Sequence, residues 1–143
     1  MDSTLDRALD WPRSRARRIS LVALTLMYVG AGANHFVNPE FYLHIMPPFI
    51  PAPDLMVAAS GVAEVGLGLA LLPPATRRWA GWGIVALLVV FFVVHVDMIL
   101  RHEAYPEAPL FVLILRIPLQ FLLIYWAEWA TRPEASLDSE RST

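Results

Sequence analysis

The chain has 143 residues, 57% of them hydrophobic and only 17% charged, with a net charge of −2 and no cysteine. With a mean hydropathy of +0.51 and a pI near 6.0, it falls well short of the charge content of a soluble domain and offers no basic surface for nucleic acid. The missing cysteines exclude disulfides, thiol redox chemistry and thiolate metal sites within this chain.

In chain order, residues 1–18 are polar, carry mixed charge and contain Pro12. They read as a cytoplasmic tail, with Trp11 as an interfacial anchor. A first apolar block spans 19–37. Arg13, Arg15, Arg17 and Arg18 precede it as in a secretory signal, but the run is too long for a cleavable one, so a retained first helix is expected. Residues 38–54 form a proline-rich aromatic loop. Pro39, Pro47, Pro48, Pro51 and Pro53 forbid one continuous helix there. Its Phe41, Tyr42, Ile45, Met46, Phe49 and Ile50 predict that it folds back onto the membrane as a cap.

A second block spans 55–72, with Asp54 expected as its N-cap. The short link Pro73-Pro74-Ala75-Thr76-Arg77-Arg78 leads to a third block at 79–100. A polar loop at 101–108 follows. The fourth block, 109–129, has Pro109 suited to its first turn and an internal Pro118 expected to kink it. The expected fold is all-α: an antiparallel up-down-up-down four-helix transmembrane bundle at 19–130, followed by a polar, disordered cytoplasmic tail at 131–143. Each block is long enough for the ~30 Å hydrocarbon core at about 1.5 Å per residue. Val85 to Val94 is apolar all round, unlike an amphipathic soluble helix.

Arginine placement predicts orientation, and all eleven basic residues are arginine. They concentrate in the N-terminal tail, at Arg77 and Arg78, and at Arg132 and Arg141. The proline-rich loop has none and the 101–108 loop only Arg101. Both termini are therefore expected in the cytoplasm, as a multi-pass protein of a cell inner membrane. Trp79, Trp82, Trp126 and Trp129 fall at the same cytoplasmic level, where an aromatic belt belongs.

A charge in mid-helix costs about 2.5–3.5 kcal/mol on insertion scales, so each one calls for a partner or a task. The blocks contain Asn34, His35, Glu64, His95, Asp97, Arg116 and Gln120. Counted from the outer helix ends, Glu64 is about 14 Å deep, Arg116 about 10 Å and His95 about 8 Å. One polar pocket in the outer half of the bundle, built from Glu64, Arg116, His95, Gln120, Asn34 and His35, accounts for this distribution. Glu64 and Arg116 are its expected ion pair, either as structural glue or as the lining of a substrate or proton site. His95 reads equally as a proton-handling or a hydrogen-bonded structural histidine. Asp97 is expected to bridge Arg101 at i, i+4. His35 reads more as a loop anchor than as a ligand, and His44 and His102 as solvated. No spacing among His35, His95 and Glu64 supports a metal site.

Three runs, GANHFVNPEFYLHIMPPFIPAP, SGVAEVGLGLALLPPATRRWAGWG and LRIPLQFLLIYWAEW, resemble in their order the DoxX family of small four-helix bacterial membrane proteins, over roughly residues 25–130. The resemblance implies a link to redox chemistry, since the family's namesakes are subunits of a thiosulfate:quinone oxidoreductase. Other relatives are tied to oxidative-stress complexes or to partner assembly. The expectation is a quinone-interacting or redox-accessory subunit, with quinone as a bound ligand, no cofactor of its own, and the bilayer plus a protein partner or further copies as its company. A non-catalytic scaffold subunit of a larger membrane complex is the alternative, and the residues fit an enzymatic or an accessory role alike.

Overall fold

The computed structural model describes residues 11, 12 and 14–133. The expectations for most of the N-terminal tail and for 134–143 lie outside these. Among the described residues there are five α-helices and no strand: α1 (Arg15–Val37), α2 (Pro39–Ile45), α3 (Pro53–Ala70), α4 (Pro74–Leu100) and α5 (Leu110–Thr131), with a 3₁₀ turn at His102–Ala104. The long four, α1, α3, α4 and α5, each have the length and hydropathy to cross a membrane. Their outward faces carry Val62, Val89, Val90, Phe111, Leu115, Phe121 and Leu122 exposed. A continuous apolar exterior of this kind suggests lipid as its solvent and a membrane protein.

Proline chemistry sets several boundaries. Pro53 and Pro74 occupy first-turn positions, where their fixed φ suits a helix and no N–H is missed. α4 therefore starts at Pro74, inside the stretch expected to be a link. Asp54 is not the N-cap of α3: Ala52 holds that place in a left-handed conformation, φ 49°, and Asp54 falls in the first turn, where its charge still meets the positive helix end. The turn between α3 and α4 is fastened from α4. Arg77 donates to the Leu71 and Leu72 carbonyls at 3.1 and 2.8 Å, and Thr76 Oγ1 to the Ala70 carbonyl at 2.7 Å. These bonds satisfy carbonyls that the helix end leaves open.

The helices associate chiefly as two pairs, α1 with α3 and α4 with α5. α1 and α3 meet through glycines. A Cβ on Gly32 would lie 2.6 Å from the Gly61 carbonyl oxygen, and one on Gly68 3.1 Å from Tyr28 Cβ. Such small-residue contacts let backbones approach where the hydrophobic effect does not drive association. Gly81 of α4 packs on Thr131 of α5, and Gly83 of α4 on Leu67 of α3.

A buried cluster of Leu21, Leu24, Tyr28, Leu71, Ile84, Leu88 and Ala127 fills one end. Arg17 donates to the Trp129 carbonyl at 3.0 Å there, Arg78 bridges Glu128 at 3.3 Å, and Arg78 lies over the Trp82 ring. A second cluster, Met98, Tyr105 and Leu113, lies at the other end, packed on Ile45 of α2. The proline-rich segment is not merely a loop: α2 occupies its first half, and Pro47 beyond it is fully buried.

Candidate functional site

The deepest polar group of α3 is turned toward α1. Gly61, Glu64 and Gly68 are spaced three and four apart and share a helix face. The two glycines press against α1, and the carboxylate between them follows. Its partner there is His35, with Nε2 3.2 Å from Glu64 Oε1 and both side chains about 95% buried, at 5% and 4% exposure.

The hydrogen bonds fix the imidazole. His35 Nδ1 is 2.9 Å from the Val57 carbonyl oxygen, which can only accept, so Nδ1 carries a proton. Ser60 Oγ donates to that same carbonyl at 2.9 Å and stands 3.0 Å from Nδ1 as a second acceptor. Nε2 is then the variable nitrogen. Between it and Glu64 Oε1 there is room for one proton, held either as imidazolium with carboxylate or as imidazole with carboxylic acid. In both states the pair is neutral overall, which suits a buried location.

α2 completes the site from outside. The Tyr42 ring stacks on His35 at 3.6 Å between centroids, 26° from parallel. The Tyr42 hydroxyl accepts from Asn34 Nδ2 at 2.9 Å, and Asn38 Nδ2 donates to Asn34 Oδ1 at 2.6 Å. His35, Tyr42, Ser60 and Glu64 form one side of a cavity of about 150 Å³. Ile45 and Met46 from the cap and Phe91 and Val94 from α4 form its apolar side.

The expected Glu64–Arg116 ion pair is not formed, and the single four-helix pocket divides in two. Depth along a helix, which guided that expectation, says nothing about which way a side chain points. The glycine face turns Glu64 to α1, while Arg116 lies in the α4–α5 seam. There its Nη1 stands 3.7 Å from Met98 Sδ, with His95 of α4 nearby. Gln120, only 2% exposed, donates to the Leu88 carbonyl. Asn34 supports Tyr42 without lining the cavity. Asp97 does bridge Arg101, whose guanidinium is held above its ordinary pKa by that hydrogen bond.

Sequence reasoning placed His35 in the pocket as a loop anchor more than a ligand, and left Tyr42 out of the site. A signal was there: Gly32 precedes His35 by three residues as Gly61 precedes Glu64, so close approach of the two glycines sets the two side chains together.

Residues 24–131 match a family model described as a domain of unknown function, DUF8561. The chain belongs to the DUF8561 family. No curated protein and no solved structure matches it. The DUF8561 match runs from Leu24, in α1, to Thr131, the last residue of α5. It therefore takes in every side chain of the His35–Glu64 site.

Proposed function

We propose that this chain is a DoxX-like protein of a bacterial inner membrane, its four long helices antiparallel and both termini cytoplasmic, that binds a quinone head group beside the His35–Glu64 pair as the accessory subunit of a redox complex. The observation that carries this reading is a buried His35–Glu64 pair, 3.2 Å apart, on the polar wall of a cavity whose other side is apolar.

Several features support it. Arginine and tryptophan gather at the end where α1 and α4 begin and α5 finishes, as the cytoplasmic side of such a bundle requires. A cavity of about 150 Å³ has the size that admits a benzene ring. A quinone is a flat ring with oxygen at its edge, an acceptor when oxidised and a donor when reduced. A group that holds one proton between Nε2 and Oε1 can face either form, and Phe91, Ile45 and Met46 suit the ring. Two electrons accompany two protons in the interconversion of quinone and quinol. The chain has no flavin or nucleotide fingerprint, so a partner subunit's cofactor handles the electrons, while His35 and Glu64 hold and pass a proton.

The test is quinone content after purification of the full chain in mild detergent. The native protein should retain quinone. A double variant, His35→Leu with Glu64→Leu, removes both members of the pair together and should fold yet lose the ligand. Native protein without quinone, or a double variant that retains as much, would overturn the reading. A stoichiometric large partner found without any ligand would favour the scaffold alternative.

A further inference from the structure

Arg116 lies inside an apolar helix with no carboxylate partner among the described residues. Among the described residues its one hydrogen-bond contact is the Met98 thioether, a weak acceptor, at 3.7 Å. Beside it, His95 Nδ1 is buried and bonded to nothing. Asp97, the acid nearest in sequence to His95, is engaged by Arg101, and Glu64 by His35. The α4–α5 seam thus holds a permanent positive charge and an unused imidazole nitrogen, with no anion to match them.

The position indicates where the anion comes from. Arg116 is about 9 Å along the axis from the start of α5 at Leu110. A long arginine side chain at that depth snorkels toward the head-group level. Arg116 is half-buried, so part of its side chain reaches the protein surface, and the neighbouring Ile114, Leu115 and Leu119 are exposed and apolar. A phosphate above and an acyl chain below would meet charge and apolar surface in that order. Guanidinium is also the side chain best shaped to grip a phosphate with two parallel hydrogen bonds.

We infer that the α4–α5 seam is a binding site for the phosphate of an anionic phospholipid, with Arg116 as its cation. The site is separate from the His35–Glu64 cavity and does not depend on the function proposed for that cavity.

The experiment uses the full chain in detergent, titrated with phosphatidylglycerol or phosphatidylcholine and read by native mass spectrometry. The native protein should hold phosphatidylglycerol in preference to phosphatidylcholine. Arg116→Gln should reduce that preference about fivefold, the effect of about 1 kcal/mol for one basic residue near an anionic lipid surface. Arg116→Lys, which keeps the charge, should retain most of it and serves if the glutamine variant does not fold. Arg101→Gln and Glu64→Gln should leave the preference unchanged, the latter separating this site from the cavity. Equal binding of the two lipids by the native chain, or a preference that survives Arg116→Gln, would overturn the site. Displacement of the lipid by free glycerol phosphate would overturn the lipid as its source. A dimer lost on Arg116→Gln would mean that the anion is a carboxylate of another chain, and would overturn it too.

Discussion

At the residue scale, the direction of one hydrogen bond governs the behaviour of the site. Because the Val57 carbonyl requires a proton on His35 Nδ1, Nε2 accepts whenever the ring is neutral. Glu64→Gln therefore keeps a donor facing Nε2 and should alter thermal stability by less than about 1 kcal/mol, the net worth of an ordinary hydrogen bond. Glu64→Leu leaves the buried Nε2 without a partner and should cost about 1–3 kcal/mol. Thermal unfolding of both variants in the same detergent checks the pair, and a glutamine variant as weak as the leucine one would contradict this tautomer. The glutamine cannot ionise, so it should also separate holding the site together from handling a proton. The residue types of the site were legible in sequence, since a buried Glu and a membrane-level His both demand explanation. Depth did not give their pairing, because it places a residue along the axis and leaves its azimuth open; only the matching Gly32–His35 and Gly61–Glu64 spacings pointed to it.

At the scale of elements, glycine contacts set the azimuth. A methyl group on Gly32 would meet backbone at Gly61 and could be admitted only by moving α1 off α3. Gly32→Ala gains up to about 1 kcal/mol of helix propensity but should lose more from overpacking, typically about 1–3 kcal/mol. Around Gly66 there is open space, so Gly66→Ala should be neutral or stabilising by up to about 1 kcal/mol. Differential scanning fluorimetry of the two variants gives the comparison, and similar losses in both would remove the close-contact argument. The four long helices were plain from hydropathy because each block approaches the thickness of a bilayer. Their starts were less plain. Pro74 looked like a breaker and is a first-turn residue, and Asp54 looked like a cap and lies two positions past the cap residue. α2 escaped prediction because its seven residues sit among prolines that argue against a long helix while permitting a short one.

At the scale of the whole molecule, the absence of native cysteine makes topology directly measurable. Thr76, exposed in the first turn of α4, should resist an impermeant thiol reagent in intact cells once changed to Cys, whereas Glu103→Cys in the exposed 3₁₀ turn should react. Labelling in the reverse order would invert the proposed orientation. The end of the bundle where α2 lies also holds the exposed His44–Glu107 contact, 3.2 Å, which ties α2 to the 101–109 segment. Tyr42 belongs to that same short helix and lies flat on the imidazole. The cap thus supplies part of the wall it covers. A molecule that settles against His35 changes the surface on which Tyr42 rests, and so changes how firmly α2 is seated. Thermodynamic reciprocity then works in both directions. Whatever grips α2 must alter affinity inside the cavity by the same factor by which the cavity's occupant alters that grip, so a second molecule held on α2 would sense occupancy without touching the first.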